Sequence, residues 1–450
     1  MHGLTNTTEQ LARQVIELVL ARQRQDPWSL GGAATTEELA ERVGATITPA
    51  GIGALDALRR WVEDLAPAMV AADHPRYFAF IPHAPTQTAV LFDLLVGASG
   101  IYAGSWLEAA GAVYAENEAL RWLADLAGFP PGAGGTFVPG GTLGNLSALH
   151  AARETALVQR GGVRPARWQM AASAEAHSSI AQAARVLDVD LIDVPVDASH
   201  RLTGTHLRAA LAANGANGLF VVVASAGATN LGVIDDLSRV AAVCQEHGIW
   251  LHVDGAYGLA ALAAPRMRPA FAGIERADSF IVDPHKWLFA PYDCCALLYR
   301  NPGQARAAHS QSAAYLDAIT ARDEWNPADY AVHLSRRARG LPFWFSLVVH
   351  GSDAYAEAIE TTLAVTRQVR DEIRARPYLE LLVEPELSVL VFRRQGWTAA
   401  DYDAWAARLF ATGTAFVMPT RVQGEPAARI VVLNPRTTCA DVALVLDEMR

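Results

Sequence analysis

Apolar positions along the N-terminal stretch recur with helical spacing. Leu11, Val15, Leu18 and Leu20 make residues 7–23 an amphipathic helix. A linker, DPWSLGGAATT, leads into EELAERVG, a short helix with Thr36 as its expected cap. Residues 52–71 carry a further helical pattern. HPRYFAFIPHAP (74–85) has too many prolines for a helix and is rich in aromatics, so it reads as a wall of the core or the lining of a pocket. TAVLFDLLVGASGIYAGSW (88–106) comes nearest to a membrane span, but it contains Asp93, and an acid inside a span is costly. It reads as an element of a soluble core.

From about residue 116 to 300 the rhythm changes. Long helical stretches alternate with short apolar runs: WQMAAS, DLIDVPVD, GLFVVVASAG, WLHVDGAYG, DSFIVDP and CALLYR. That alternation predicts an α/β unit with a mostly parallel sheet and helices on both faces. Ligands of such sheets bind at the carboxyl ends of strands, so each strand end is a candidate site. Residues 301–340 are polar and loop-rich, a long helix is expected over 353–376, and the tail alternates strand and helix as a small α+β domain. The division expected is 1–80, 81–340 and 341–450.

Composition narrows the possibilities. The chain has 450 residues, 51% hydrophobic and 19% charged, ample for a large core. Its formal charge of −10 argues against nucleic acid as a partner, since the longest basic block is SRRAR at 335–339. Cys244, Cys294, Cys295 and Cys439 show neither a Cys-x-x-Cys nor a zinc-finger spacing; reduced thiols in a cytoplasmic protein, with no metal, are the simple reading. MHGLTNTTEQ lacks the charged and apolar regions of a signal peptide.

Four strand ends carry candidate chemistry. In FVPGGTLGNLSALHAAR, Gly140 and Gly141 precede a helix, leaving N–H groups open to a phosphate; a plain turn would look the same. His177 stands between a strand and a helix start in SAEAHSSIAQAARVL, as an exposed cap residue also could. Asp254 ends the strand of LHVDGAYG, where a carboxylate could bind a metal, orient a histidine, pair with a protonated ring nitrogen, or shape a tight turn. Lys286 follows SFIVD and is walled by Trp287 and Phe289. Desolvation there would lower its pKa and make it nucleophilic, unless it is a solvated loop lysine. Together, a phosphate cradle, a stacking imidazole, an aspartate and a desolvated lysine are the parts needed to hold pyridoxal 5′-phosphate.

In this order and spacing, PGGTLGNLSAL, AHSS, VDGAYG and DPHKW resemble the group II pyridoxal-phosphate-dependent decarboxylases, the family of aromatic amino acid, histidine and glutamate decarboxylases. HPRYFAF, SW at 105–106, ENEALRWLADLAG and NPRTT extend the resemblance over nearly the whole chain. It implies the fold type I (aspartate aminotransferase-like) architecture of pyridoxal-phosphate enzymes. It also implies a homodimer whose N-terminal helices clasp the partner, a role that would suit 88–106. Lys286 would then be the Schiff-base lysine. His177 would stack on the cofactor with Ala256 on its other face, and Asp254 would pair with the pyridine nitrogen. Gly141 and Thr142 would bind the phosphate through backbone N–H groups, and Thr229 would lie near the ring hydroxyl. His285 matches a histidine near the substrate carboxylate. Tyr330, in NPADYAVH, falls in a catalytic loop whose tyrosine protonates the substrate carbon after CO₂ leaves; Tyr315 is the other candidate.

The expected reaction is decarboxylation of an L-amino acid to its amine. Phe80, Ile81, Pro82, His83, Tyr102 and Gly104 fall at the family's pocket positions and form a mainly apolar lining, which favours an aromatic or bulky hydrophobic substrate. His83 and Arg76 leave an acidic or polar side chain open, and transamination or decarboxylation-coupled oxidative deamination are the alternative reactions. Two departures stand out. Pro342 replaces a lysine common in the family. Asp283 stands where many members have an asparagine that helps bind phosphate, so it is expected to point elsewhere or be offset by a donor.

Overall fold

A computed structural model describes residues 2–25, 29–311 and 324–450. The N-terminal pattern forms α1 (Asn6–Arg24), α2 (Thr36–Val43) and α3 (Ala54–Arg60). Thr35, one residue before the expected Thr36, caps α2. Its Oγ1 accepts from the Glu38 N–H at 3.2 Å while Glu38 Oε2 accepts from the Thr35 N–H at 2.8 Å. None of these three helices buries a residue in the single chain.

The run at 88–106 divides into α4 (Gln87–Ala98), a turn, and the start of α5 (Trp106–Leu126). It is a core element only in part: Val96 and Ala103 join a small buried cluster against which Phe92, Ile101 and Trp106 pack. Only Ala89 and Val96 of α4 are buried, whereas Leu91, Leu94 and Leu95 face outward.

The large sheet contains β1 (Gly134–Val138), β2 (Gln169–Ser173), β3 (Asp190–Val194), β4 (Leu219–Ser225), β5 (Trp250–Asp254), β6 (Ser279–Val282) and β7 (Cys295–Tyr299), in the order β1-β7-β6-β5-β4-β2-β3. Pairing is parallel from β6 across to β3, and β7 is antiparallel to both β6 and β1. β1 therefore runs in the same direction as β6. The carboxyl ends of β1, β2, β4, β5 and β6 all reach one edge, which brings the candidate segments together. β4 and β5 are buried at every position, as expected of strands covered on both faces.

The small domain is a four-stranded antiparallel sheet, β10-β11-β9-β8, from β8 (Leu379–Val383), β9 (Val389–Arg394), β10 (Thr420–Val422) and β11 (Glu425–Val431). Trp405, Tyr402 and Phe392 anchor its core, and Phe78 joins them from the N-terminal segment. The expected boundary at 341 is the start of a helix, Leu341–Ala375, that serves both units and breaks at Gly351 (φ 75°). Phe343, Tyr355 and Ile359 pack in the large core, whereas Val365, Val369 and Ile373 pack in the small one. The basic block SRRAR is engaged within the fold: Arg336 pairs with buried Glu116 at 2.7 Å, Arg337 with Asp93 and Arg339 with Asp293.

Candidate active site

At the shared edge of the sheet lies a cavity of about 300 Å³ lined by Gly141, Thr142, His177, Thr229, Asp254, Ala256, His285 and Lys286, together with Asp283 and Tyr292. Gly141 and Thr142 open α6 (Gly141–Gln159), a helix of 19 residues. Its cap, Gly140, has no side chain to offer, so the first-turn N–H groups face the cavity without a side-chain cap. A Cβ at Gly141 would lie 3.2 Å from Ile281 Cδ1, 3.3 Å from Asp283 Oδ2 and 3.4 Å from Ala256 Cβ. Glycine keeps that corner open.

Asp254 ends β5 and is held on both oxygens. Asn145 Nδ2 donates to Oδ2 at 2.9 Å and the Ala256 N–H donates to Oδ1 at 3.1 Å. Asn145 Nδ2 also donates to Ser179 Oγ at 3.0 Å, so its Oδ1 is left as an acceptor for His252 Nε2 at 2.9 Å. Those bonds fix the hydrogens further back. With Nε2 donating, neutral His252 accepts at Nδ1 from Ser279 Oγ at 2.8 Å, and Ser279 accepts from Trp250 Nε1 at 2.8 Å. Burial holds the His252 imidazole down to about 4, in keeping with the neutral ring. On the other branch Ser179 meets His177 Nδ1 at 2.8 Å, and its N–H points to the same nitrogen at 3.2 Å. His177 caps α7 (Ser178–Leu187) in this way while its ring stays open to the cavity.

Lys286 departs from the expected depressed pKa. Burial lowers it, but its Nζ is 2.8 Å from Asp283 Oδ2, and that carboxylate more than compensates, raising the ammonium above its ordinary value. Asp283 does not point elsewhere. It lines the cavity, and the lysine ammonium is its donor. Burial alone would raise the Asp283 carboxyl; Lys286, His285 and the Cys295 thiol together outweigh it and hold it below the usual range. His285 is lowered, chiefly by burial, and its Nε2 lies 3.6 Å from Asp283 Oδ2.

Several expected residues sit away from this cavity. Tyr330 is 4% exposed, stacks on Trp325 at 4.1 Å between centroids, and packs with Tyr299 and Val138 beneath α6. An aromatic ring flanked by apolar neighbours gains more from that packing than from reaching the cavity, so Tyr330 is not brought to Lys286. Tyr315 lies outside the described residues. Tyr102 covers Gly104 and donates to the Leu334 carbonyl at 3.2 Å, also off the cavity wall. Ile81 is partly buried against the large core. His83 stands one layer back: Nδ1 donates to the His285 carbonyl at 2.8 Å and its ring stacks on Tyr292 at 4.2 Å. Phe80 lines an adjoining depression of about 500 Å³ that shares His177 and Thr229 with the cavity and also holds Met418 and Arg429. Phe80 takes a left-handed φ of 51°, uncommon for a bulky residue, and its carbonyl accepts from Arg429 Nη1 at 2.6 Å. Arg429 Nη2 and Nε bond the carbonyls of Thr229 and Asn230 at 2.6 and 3.1 Å.

Asn145 and Tyr292 were not singled out from sequence. Asn145 follows the double glycine by one helical turn, the spacing that returns a side chain to the same face. Tyr292 follows the lysine by six positions, with no periodicity to flag it.

A family model described as the pyridoxal-dependent decarboxylase conserved domain matches residues 55–395. The chain belongs to the pyridoxal-dependent decarboxylase family. It is an amino acid decarboxylase, a lyase, and its cofactor is pyridoxal 5′-phosphate. The chain is 30% identical to an aromatic-L-amino-acid decarboxylase of Bacillus atrophaeus over 392 residues, 84% of this chain and 81% of the relative. It is 33% identical to an L-2,4-diaminobutyrate decarboxylase of Rhizobium meliloti over 396 residues, 84% of this chain and 78% of the relative. Among solved structures, Oryza sativa TDC with pyridoxal phosphate and tryptamine superposes with a TM-score of 0.92 over 100% of this chain and 99% of that one; at 24% identity the likeness establishes the shared fold, fold type I. The decarboxylase's cavity suits its cofactor. An uncapped helix N-terminus, a doubly anchored carboxylate, an open imidazole and a lysine amine all converge on it. The buried Asp283 Oδ1 has no hydrogen-bond partner among the described residues. Among those residues no helix is long and apolar enough to cross a membrane.

Proposed function

We propose that the enzyme decarboxylates an L-amino acid with an aromatic or bulky hydrophobic side chain, and that Lys286 carries the cofactor. The observation that supports this most is the convergence of Lys286, Asp254, His177 and the N-terminus of α6 on one cavity. When bound, pyridoxal phosphate withdraws electrons from the bond between the substrate's α-carbon and its carboxylate. The chain's own residues then set orientation. Gly141 and Thr142 offer N–H groups to the phosphate, Asp254 presents a fixed carboxylate to the ring nitrogen, and His177 and Ala256 flank the ring. Thr229 stands at the edge near His177, and His285 is positioned for the substrate carboxylate. Holding the breaking bond in one orientation supplies much of the rate and decides which bond breaks.

The preference for a hydrophobic substrate rests on Phe80 and Met418 at the mouth and on Tyr292 inside. The polar groups nearby are already engaged: Arg429 with three carbonyls, Asp254 with Asn145 and Ala256, and Asp283 with Lys286. A second ammonium or carboxylate on a substrate would have to compete with these existing bonds. A panel of L-amino acids assayed for amine, CO₂, ammonia and peroxide tests the reading. Aromatic substrates should give amine and CO₂ in equal amounts. Preferential turnover of diaminobutyrate or glutamate would overturn the substrate class, and ammonia with peroxide would overturn simple decarboxylation.

The working form is a homodimer in this proposal. Leu91, Leu94 and Leu95 on α4 and Val348 and Val349 on the helix packed against it are exposed in the single chain, as is all of α1 apart from partly covered positions. Light scattering that found only monomer would refute this. A reducing, cytoplasmic setting suits its four unpaired cysteines.

A further inference from the structure

A second cleft, of about 240 Å³, opens at the other edge of the large sheet, where β4 and β5 begin. The end of α6 and the helix Leu237–His247 form its walls. Its floor is buried and mainly apolar: Ala152, Phe220, Cys244, Trp250 and Leu251. Its rim carries Arg276, Arg300 and Asp278, with the amides of Gln159, Gln245 and Gln304. An apolar floor with a few convergent polar groups is the usual make-up of a small-molecule site. The volume falls below the ~300 Å³ at which pockets for drug-sized ligands begin, so a fitting occupant is small.

The two arginines set this cleft apart. Close by on the same acidic chain, Arg208 pairs with Glu246 and Arg239 with Asp236. Arg276 and Arg300 form no ion pair among the described residues. Arg276 donates from Nη1 to the Ser238 carbonyl at 3.1 Å and from Nη2 to Gln245 Oε1 at 2.5 Å. Arg300 donates from Nη1 to the Glu275 carbonyl and lies over the Phe129 ring at 5.9 Å. A guanidinium has five N–H donors, so each keeps donors that these contacts do not use. Asp278 shares the rim, but its Oδ2 accepts from the Leu251 N–H at 2.7 Å, and it pairs with neither arginine. Neutral acceptors thus hold two guanidiniums over an apolar floor. One net positive charge remains even with Asp278 ionised.

We propose that this cleft is a second ligand site, for a small organic acid with one carboxylate. The carboxylate sits on Arg276 and Arg300, and the hydrocarbon part lies on Phe220 and Trp250. Arginine's planar fork matches the two oxygens of a carboxylate, and such charge-assisted pairs are stronger than neutral ones. A single carboxylate balances the net charge of the rim. A phosphate dianion would exceed it and leave the apolar floor wet. The site is separate from the cofactor cavity: β5 puts Trp250 in this floor and Asp254 at the cofactor, four residues or about 13 Å apart. The acid therefore binds alongside cofactor and substrate without competing with either.

The probe is 4-fluorobenzoate, one carboxylate on one apolar ring. Its binding to the holoenzyme is followed by fluorine NMR for wild type, Arg276→Gln, Arg300→Gln and Ala156→Leu. The last variant narrows the cleft and leaves its charge unchanged. Wild type should bind the probe saturably. Each arginine variant should bind it about tenfold more weakly or worse, the loss expected when a charged hydrogen-bonding partner is removed. Ala156→Leu should also bind it more weakly. All three variants should keep the wild-type cofactor absorbance, since none touches the cofactor cavity. No saturable binding to wild type would overturn the proposal. So would equal affinity in wild type and all three variants, which would place the acid elsewhere on the enzyme. 4-Fluorobenzamide has the same ring without the charge and should bind far more weakly; equal binding would overturn the carboxylate class. Inorganic phosphate that displaced the probe at the probe's own concentration would make this a site for simple anions and overturn the organic class. Should Arg276→Gln fail to fold for want of its bonds to Ser238 and Gln245, Arg300→Gln and Ala156→Leu decide the matter.

Discussion

Replacing Asn145 with alanine should loosen the cofactor by way of Asp254. The amide supplies one of the two hydrogen bonds that fix the aspartate, at 2.9 Å, and leaves the Ala256 N–H at 3.1 Å as the other. A hydrogen bond to a charged group contributes about 1.5–3 kcal/mol. If the freed carboxylate must be re-ordered whenever the ring nitrogen arrives, that energy is lost from binding, about 10- to 150-fold in dissociation constant. The retained Ala256 bond favours the lower end. A second cost falls elsewhere: the buried His252 Nε2–H loses its acceptor, at about 1–3 kcal/mol, and this lowers the urea midpoint whether or not cofactor is present. Absorbance titration with pyridoxal phosphate reads the first quantity. The same titration in an Asp254→Asn background separates routes. With the aspartate's charge gone, Asn145→Ala should cost little. An equal cost in both backgrounds, additive within about 0.5 kcal/mol, would refute transmission through Asp254.

Lys286→Ala should abolish the borohydride-stable adduct with pyridoxal phosphate; an adduct on another lysine, found by peptide mass mapping, would refute the assignment. Gly141→Ala places a methyl group in the phosphate corner, 3.2–3.4 Å from three atoms. Overpacking of about 1–3 kcal/mol against these protein atoms should lower the melting temperature of the cofactor-free enzyme, and the methyl in the phosphate corner should weaken cofactor binding; unaltered affinity would count against the cradle. The imidazoles of His83 and His252 are held at about 4 by burial, below their unfolded value of about 6.5. The native state therefore binds fewer protons than the unfolded chain between those values, so stability is fully present above pH 6.5 and is lost as pH falls toward 4. A urea midpoint no lower at pH 5 than at pH 7 would contradict this.

What was legible in the sequence follows from how each residue reaches the site. Asp254, Lys286 and His177 stand at or just beyond the ends of apolar runs, and the strand-end rule finds such residues without any knowledge of their neighbours. Gly141 and Thr142 were marked only weakly by the double glycine, which a plain turn also uses; the order and spacing of PGGTLGNLSAL with AHSS, VDGAYG and DPHKW drew attention to them. Asn145 was hidden, because its partners lie far off in the sequence, Ser179 at the start of α7 after β2 and His252 with Asp254 on β5, and only the assembled sheet with α6 against it brings them together. Tyr330 is the opposite case. Its position in a polar, loop-rich segment suggested mobility, yet Trp325 and the wall beneath α6 give its ring an apolar home. Desolvation of Lys286 was foreseen and its consequence was not. The spacing from Asp283 to Lys286 is one turn, close enough for the acid to reverse the sign of the shift.

Arg429 gives the small domain a role beyond covering the edge of the large one. One guanidinium on β11 grips the backbone on both sides of the entrance, at Phe80 and at Thr229 with Asn230. The entrance and the cofactor's edge are therefore hung from the same peg. A substitution in the small sheet that displaces β11 shifts both together, so substrate choice can drift through residues that never touch a substrate, while Lys286, Asp254 and His177 stay as they are.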